Sequence, residues 1–496
     1  MLAETTAFTL DGIAARTVRV EVDVHRGLPS FQIVGLPDAA VREARERVRT
    51  ALVNCGYEFP LRRITANLAP ADLRKVGPGL DLALATALLG AGGELPLSAI
   101  SGWAFAGELA LDGSVRPVRG ALAMAEAARA AGRTGFICPA HNGPEAALAA
   151  GVEVRTIDSL AALRSLGGGE LPGERTSASG LGDEPELPDI GDLRGQGFLR
   201  SAMEIAAAGG HGLLMVGPPG AGKSLAARRM PSILPPLAGD EILEVARIAS
   251  ACGTGNGRVS TARPFRAPHH TVSPAGLVGG GSPVRPGEIT LAHRGVLFLD
   301  ELCEFSRGSL EALREPLENG QVMISRARGS QILPSRFMLV AAANPCPCGR
   351  GEQDPGCECI AAAIRRYRGM LTGALTDRID MTVAVTQPEA GAMIAPSEEN
   401  SAEVRKRVVS ARRLMADRFG PGGTNASASA GDLAGFELDE GATGLLGEAY
   451  RTRGLSGRAH ERIRRLARTI ADLDGGGPVT ESHLAQALQL RRRTGR

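Results

Sequence analysis

Apolar and polar residues alternate in distinct ways along the chain. Residues 17–24 alternate with the period of a half-buried strand, and residues 39–55 repeat apolar positions at helical spacing. From residue 188 to about 388, short apolar runs typical of buried strands alternate with helical stretches. Residues 402–417 and 440–495 have helical periodicity. The pattern predicts an α/β fold with an open sheet, followed by a helical C-terminal region.

Composition divides this pattern into regions. Three consecutive glycines open a stretch rich in glycine, serine and proline, which is typical of a flexible linker. We therefore predict an N-terminal α/β domain at residues 1–166 and a linker at 167–187. An α/β core at 188–388 and a helical domain at 389–496 are expected to follow.

The overall composition limits the class of protein. The 496 residues are 43% hydrophobic, which is enough for sizeable cores, and the formal net charge is only +2. Bulk charge therefore argues neither for nor against nucleic-acid binding, and the 3% aromatic content disfavours base stacking. No signal-peptide pattern is visible, and no apolar run approaches the roughly 20 residues of a membrane span. We expect a soluble cytoplasmic protein whose eight cysteines are thiols or metal ligands.

A glycine-rich turn follows the apolar run at residues 213–216 and fits the pattern GxxxxGK[ST]. Its glycines allow backbone N–H groups to surround a phosphate, and the next helix presents its positive N-terminal end to the same anion. Lys223 is expected to reach the β- and γ-phosphates of a nucleoside triphosphate, and Ser224 to bind Mg²⁺. The predicted nucleotide site consists of Gly217, Pro218, Pro219, Gly220, Ala221, Gly222, Lys223 and Ser224.

Polar residues end two further apolar runs. Asp300 and Glu301 follow residues 296–299, and Asn344 follows residues 337–343. Ligands of parallel α/β sheets bind at the carboxyl ends of the strands. We expect Asp300 to hold Mg²⁺ through water, Glu301 to polarise the attacking water, and Asn344 to orient that water. A solvated acidic turn is the alternative for the two carboxylates.

Short segments spread over the whole chain carry a more specific likeness; they are residues 20–23, 35–38, 265–271, 279–281, 286–289 and 314–318. With the phosphate-loop motif, they resemble the ComM/YifB family of magnesium-chelatase-like AAA+ ATPases, of the helix-2-insert group. The resemblance implies a P-loop AAA+ core with a helix-2 insert and a C-terminal helical lid, using ATP and Mg²⁺. It also implies a homo-hexameric motor on single-stranded or branched DNA, which promotes branch migration when transforming DNA is integrated by homologous recombination.

The same resemblance assigns roles to three further residues. Arg378 matches the arginine finger, which acts on ATP bound by the next subunit and therefore implies a ring. Arg458 matches the sensor 2 arginine, and Gln196 matches the element that contacts adenine. The alternatives are a surface salt bridge of Arg378 with Asp377 or Asp380, and a solvated helix start for Gln196.

The N-terminal domain resembles the Lon proteolytic domain, which has an S5-like α/β fold. Residues 77–83 and 111–120 carry this likeness. Gly79 and Leu122 stand where Lon has its catalytic serine and lysine, so the dyad is absent. We expect the domain to serve assembly or DNA binding.

Residues 324–330 are expected to form the end of a β-hairpin that carries Arg326 and Arg328. In related helicases a hairpin at this place projects into the central channel of the ring. The two arginines are therefore candidates for contacts with DNA phosphates. A merely solvated hairpin is the alternative.

Two groups of potential metal ligands occur in the chain. His269 and His270 are adjacent, and we favour packing in a loop or subunit interface over metal binding. The other group has four thiols closely spaced in sequence, and such a set suits tetrahedral Zn²⁺, with ordinary reduced thiols as the alternative. These thiols belong to Cys346, Cys348, Cys357 and Cys359.

The leading hypothesis is thus a ring-forming ATP-hydrolysing DNA helicase or translocase. A magnesium-chelatase-like ATPase subunit is the first alternative. An ATP-dependent unfoldase or chaperone is the second, although the missing Ser–Lys dyad argues against proteolysis.

Overall fold

The computed structural model describes residues 1–177, 186–255, 260–281, 284–326, 329–352, 354–371, 375, 378–389, 391–392, 399–453 and 455–491. Its strands are β1 (Leu2–Asp11), β2 (Ala14–His25), β3 (Ser30–Val34), β4 (Arg63–Ala69), β5 (Trp103–Phe105), β6 (Glu108–Leu109), β7 (Val115–Arg116), β8 (Gly135–Pro139), β9 (Glu153–Ile157), β10 (Glu174–Thr176), β11 (Leu213–Val216), β12 (Phe265–Arg266), β13 (Gly279–Gly280), β14 (Arg285–Pro286), β15 (Val296–Leu299), β16 (Gln321–Arg326), β17 (Gly329–Pro334), β18 (Met338–Ala343) and β19 (Met381–Ala384).

The α-helices of the described residues are α1 (Ala39–Asn54), α2 (Asp81–Gly92), α3 (Leu97–Ile100), α4 (Ala121–Ala130), α5 (Gly143–Ala146), α6 (Gly197–Gly209), α7 (Lys223–Ile233), α8 (Asp240–Cys252), α9 (Pro274–Val278), α10 (Glu288–Leu291), α11 (Arg307–Ala312), α12 (Arg314–Asn319), α13 (Ala361–Leu371), α14 (Ser401–Phe419), α15 (Ala430–Ala434), α16 (Glu440–Arg453), α17 (Gly457–Leu473) and α18 (Glu481–Leu490). Short 3-10 helices occur at Pro78–Leu80, Ala140–Asn142, Leu160–Gly168, Ile190–Asp192, Leu302–Glu304 and Asn425–Ser427.

The N-terminal region is built on an eight-stranded mixed sheet in the order β10-β9-β8-β5-β1-β2-β4-β3. On β2 the alternate residues Val18, Val20 and Val22 are fully buried, as the period of two predicts. Helix α1 covers the helical pattern at 39–55 and begins after Asp38, whose carboxylate accepts a hydrogen bond from the Val41 N–H.

Strand β10 lies within the stretch for which composition predicts a linker. It pairs antiparallel with β9, so this part of the stretch completes the N-terminal sheet. Residues 178–185 of the predicted linker are outside the described residues.

The central sheet has five strands in the order β12-β15-β18-β11-β19, and each pair of neighbours is parallel. All residues of β11, β15 and β18 are buried, because alternate side chains enter hydrophobic clusters on opposite faces. The prediction of an α/β chain with a parallel sheet is confirmed. The carboxyl ends of β11, β15 and β18 meet at one edge, which becomes the candidate site.

The C-terminal region is helical, as predicted, and packs against the central sheet through the cluster that also contains Met381 and Val383 of β19. Buried polar contacts reinforce this junction. His211, just before β11, lies 3.2 Å from Asp380 and 2.8 Å from Thr469 of α17. In the part of the chain that the structure describes, no helix is both long enough and apolar enough to cross a membrane.

The N-terminal region contacts the central one through α4 and α8. Arg247 of α8 binds the Glu126 carboxylate with donor–acceptor distances of 2.7 to 3.0 Å. The Ser250 carbonyl accepts a 2.9 Å hydrogen bond from the Gly120 N–H, just before α4. A second contact places Ile13, in the β1–β2 turn, against the cluster that includes strands β16 and β17.

Candidate nucleotide-binding site

The glycine-rich loop joins β11 to α7, as the sequence predicts for a phosphate loop. Gly222 has φ +90°, which favours glycine, and it immediately precedes the first residue of α7. At Gly217 a Cβ atom would lie 2.1 Å from the Val385 carbonyl oxygen, so only glycine fits between the loop and the end of β19. The loop is therefore held close to the sheet, with the N-terminus of α7 directed at its concave side.

Lys223 lies where the loop and the end of β18 converge. Its Nζ donates to the carbonyl oxygens of Gly217 at 2.5 Å and Pro218 at 2.9 Å, and to Asn344 Oδ1 at 3.1 Å. Burial lowers the pKa of Lys223, while the nearby Asp300 and Glu301 carboxylates act in the opposite direction. The ammonium group is thus positioned inside the loop, beside the polar residue that ends β18.

Ser224 and Asp300 form the part of the site suited to a magnesium ion. The Ser224 hydroxyl donates to Asp300 Oδ2 at 2.6 Å, and Asp300 Oδ1 accepts from the Glu301 N–H at 3.0 Å. Hydroxyl and carboxylate oxygens are hard ligands of the kind that Mg²⁺ prefers. Lys223, Ser224, Asp300 and Asn344 are therefore brought together at one edge of the sheet.

Glu301 has a partner that the sequence patterns did not identify. Its backbone is in the left-handed region, with φ +52°, and its Oε2 lies 3.2 Å from His270 Nδ1. The ring centroids of His269 and His270 are 4.1 Å apart, so the two adjacent side chains pack against each other. The position of His270 in the chain could have indicated this contact. His270 follows β12, and β12 lies next to β15, the strand that precedes Glu301.

Gln196 is buried beneath the phosphate loop rather than at a solvated helix start. Its side-chain amide donates to the carbonyl oxygens of Ala221 at 3.3 Å and Thr386 at 2.7 Å. These bonds tie the loop to the segment after β19. The predicted contact with adenine stays a prediction.

Arg378 forms an ion pair with Glu318 of α12. The sequence predicts Asp377 and Asp380, and not Glu318, as alternative salt-bridge partners of Arg378. Asp377 lies outside the described residues, and Asp380 binds His211 and Arg462, at 3.2 and 3.4 Å. Burial alone would raise the pKa of Asp380, but His211 and Arg462 hold it below its usual value.

Arg458 is exposed in the first turn of α17, after Ser456, whose hydroxyl caps the helix by accepting from the Ala459 N–H. The role of sensor 2 therefore stays a prediction. The β16–β17 hairpin forms as the sequence predicts, pairing Arg326 with Gly329 in the backbone. The Arg326 side chain and all of Arg328 lie outside the described residues.

The four closely spaced thiols also come together. The sulfur atoms of Cys346, Cys348, Cys357 and Cys359 lie within 4.8 Å of one another. Of the two alternatives that the sequence leaves open, this arrangement suits a metal site.

Comparison with known proteins identifies relatives along nearly the whole chain. A family model described as magnesium chelatase, subunit ChlI, matches residues 189–393. Two related models, for subunit ChlI of Mg-chelatase and for the ChlI C-terminal region, match residues 20–142 and 398–491.

Three individual relatives align with this chain over almost the entire length of both proteins. An uncharacterised protein of Mycobacterium tuberculosis is 44% identical, over 97% of this chain and 96% of the relative. The uncharacterised protein YifB of Escherichia coli is 41% identical and the competence protein ComM of Haemophilus influenzae is 39% identical. Both of these alignments cover 97% of this chain and 95% of the relative.

Proposed function

The chain belongs to the ComM/YifB family of magnesium-chelatase-like proteins, and we propose that it is an ATPase whose hydrolysis cycle moves DNA. The observation that carries the ATPase proposal is the convergence of Lys223, Ser224, Asp300 and Asn344. A lysine and helix N-terminus for phosphates, with hydroxyl and carboxylate ligands for Mg²⁺, are the recurring parts of phosphoryl-transfer sites.

Each residue has a proposed role in hydrolysis of ATP. Lys223 neutralises the β- and γ-phosphate oxygens. Ser224 binds Mg²⁺ directly, and Asp300 holds the same ion through water. Glu301 polarises the attacking water, and Asn344 orients it. Magnesium supplies electrostatic stabilisation of the charge that develops on the transferred group.

We propose that the active form is a homo-hexameric AAA+ ring with a helix-2 insert and a helical lid. Arg378 then acts as an arginine finger on ATP held by the next subunit, and Arg458 acts as the sensor 2 residue. In the single chain, Arg378 is paired with Glu318 of α12, so the proposed role requires that this ion pair open in the ring. We propose residues 188–388 as the core and residues 389–496 as the lid.

The proposed substrate is single-stranded or branched DNA in the cytoplasm. Likeness to the competence protein ComM of Haemophilus influenzae supports a role related to competence. Within that role, we propose that the chain acts as a helicase or branch-migration factor when transforming DNA is integrated by homologous recombination. Arg326 and Arg328, at the end of the β16–β17 hairpin, are the proposed phosphate contacts. The N-terminal domain at 1–166 is proposed to be a Lon-like domain without its dyad that serves assembly or DNA binding.

A magnesium-chelatase-like ATPase subunit is the second candidate, favoured by the match of the chain to family models of magnesium chelatase subunit ChlI. The proposed cofactors, ATP and Mg²⁺, are the same for both candidates, and Zn²⁺ is proposed as a separate structural ion. The discriminating experiment measures ATP hydrolysis with and without forked or four-way DNA. The DNA motor predicts a clear increase in turnover, whereas turnover unaffected by every DNA tested would contradict it and favour the second candidate.

A further inference from the structure

The four cysteines after β18 have the geometry of a tetrahedral metal site. Cys357 Sγ lies 3.8 Å from Cys346 Sγ and 3.7 Å from Cys348 Sγ, and the Cys346 and Cys348 sulfurs are 3.3 Å apart. Four thiolates bound to Zn²⁺ at about 2.3 Å would be separated by about 3.8 Å along each edge of the tetrahedron. A disulfide needs sulfur atoms about 2.05 Å apart, and all four cysteines are free.

Backbone N–H groups are directed at two of the four sulfurs. The Gly351 N–H donates to Cys346 Sγ at 3.2 Å, and the Arg350 N–H donates to Cys348 Sγ. Hydrogen bonds from outer groups orient metal-bound ligands and stabilise their negative charge. Cys346 is completely buried, whereas Cys348 is exposed, so an ion can reach the cluster from solvent.

The turn that carries Cys346 and Cys348 lies against the phosphate loop at Gly349. Gly349 has φ +86°, and its N–H donates to the Cys346 carbonyl oxygen at 2.9 Å. A Cβ atom at Gly349 would lie 2.8 Å from two side-chain atoms of Pro219, which belongs to the phosphate loop. The turn that carries the first two sulfurs therefore packs against the loop without room for a larger residue.

The cluster is also close in sequence to groups at the carboxyl ends of the neighbouring strands. Cys346 follows two residues after Asn344, which accepts a hydrogen bond from Lys223. On its other side, Cys359 leads into α13, where the buried Tyr367 is hydrogen-bonded to the Cys303 side chain and to the Asn344 backbone. A metal that joined the two pairs of cysteines would fix both ends of this segment relative to Asn344.

We infer that Cys346, Cys348, Cys357 and Cys359 bind one Zn²⁺ ion, and that the metal-bound turn braces Pro219 and Asn344, so that loss of the metal weakens nucleotide binding. The bracing role rests on the proposed nucleotide site, whereas metal occupancy does not. Preorganisation of the loop lowers the cost of ordering it around a phosphate.

The test measures zinc content and affinity for a fluorescent ATP analogue on the full-length protein. We compare the unmodified protein with Cys357→Ser/Cys359→Ser and with a matched control, Cys55→Ser/Cys252→Ser, whose thiols lie elsewhere. We expect about one zinc per chain in the unmodified protein and the control, and little in the first variant. Nucleotide affinity of that variant is expected to fall about tenfold, equivalent to about 1.4 kcal/mol. In the unmodified protein, a zinc chelator should lower the nucleotide affinity, and added Zn²⁺ should restore it. This measurement tests the bracing role even if the variant folds poorly.

Zinc-free unmodified protein, prepared with zinc in the growth medium and unable to take up added Zn²⁺, would overturn the metal site. Zinc removal that leaves nucleotide affinity unchanged would overturn the bracing role. Unmodified protein that holds zinc but binds no nucleotide would instead contradict the proposed ATPase, and the bracing role would fail with it.

Discussion

Ser224 and Asp300 are 76 positions apart in sequence, and the Ser224 hydroxyl donates a 2.6 Å hydrogen bond to the Asp300 carboxylate. Ser224 lies in the first turn of the helix after the phosphate loop, and Asp300 directly follows the buried strand β15. Their contact fixes the distance between two elements that are proposed to act together on one Mg²⁺ ion. It also predicts which substitutions separate metal binding from nucleotide binding.

Asp300→Asn is expected to lower ATP turnover by a factor on the order of 10²–10³, the size found when one preorganised electrostatic group is removed. An amide oxygen is a weaker ligand than a carboxylate, so the magnesium concentration that gives half-maximal turnover should rise. Steady-state hydrolysis measured over a magnesium titration checks both effects. Asp23→Asn, at an exposed carboxylate of β2, is the control, and equal turnover in the two variants would refute the assignment.

His270→Ala is expected to lower turnover about tenfold while nucleotide affinity stays unchanged. The reason is that His270 contacts the Glu301 carboxylate, which is proposed to act on water, and has no proposed contact with the phosphates. Single-turnover hydrolysis and equilibrium binding of ATP separate the two effects. His141→Ala, at an exposed histidine of the N-terminal region, serves as the control. A variant whose turnover matches that of the control would remove His270 from the site.

Arg378→Ala is expected to reduce turnover of the assembled protein by about 10³–10⁵-fold, as removal of an arginine finger does. Because Arg378 is also paired with Glu318, loss of that ion pair needs its own control, Glu318→Gln. The finger hypothesis predicts that Glu318→Gln keeps most of the activity. It also predicts that mixing Arg378→Ala with Lys223→Ala protein restores some turnover, because each supplies what the other lacks. Equal losses of turnover in Arg378→Ala and Glu318→Gln would indicate that the ion pair has a structural role instead.

Glu244 of α8 predicts a pH dependence of stability. Its carboxylate lies 2.7 Å from Arg294 and 3.0 Å from His293. Burial alone would raise its pKa, but hydrogen bonds from Arg294 and His293 lower the pKa of Glu244 from 4.5 to about 2. A carboxylate whose pKa is lower in the folded state stabilises the fold above its unfolded pKa, and the contribution is lost as pH falls through the folded pKa.

Glu244→Gln should therefore reduce the free energy of unfolding at pH 7 by about 1 kcal/mol, a value that allows for partial exposure of the carboxylate. The difference between variant and parent should shrink as pH falls below about 4.5 towards 2. Denaturant unfolding measured at several pH values provides the test, with Glu311→Gln on the exposed face of α11 as the control. A difference that grows on acidification would contradict the assignment.

Much of the edge that forms the candidate site could be predicted because its parts are local patterns. Buried apolar strands of four and six residues, each followed by a polar side chain, place Asp300 and Asn344 at the ends of strands by register alone. Parallel pairing then brings both ends to the same edge as the phosphate loop. The α/β order and the helical C-terminal region followed from periodicity in the same way.

Other features depend on geometry that composition does not specify. Glu301, which contacts His270, has a left-handed backbone, and no local pattern signals that conformation for a non-glycine residue. Gln196 is buried because tertiary packing covers it with the phosphate loop and the end of β19. Strand β10 forms in a glycine-rich stretch because β9 offers it an edge for pairing, which outweighs its low propensity.

A labelled four-way junction followed over time tests most directly whether ATP hydrolysis by this chain moves DNA. We predict that the unmodified protein, with ATP and Mg²⁺, converts the junction into separated duplex products. Glu301→Gln protein should bind ATP and DNA without converting the junction. Unmodified protein that hydrolyses ATP yet leaves four-way and forked DNA unchanged at every protein concentration would contradict the claim.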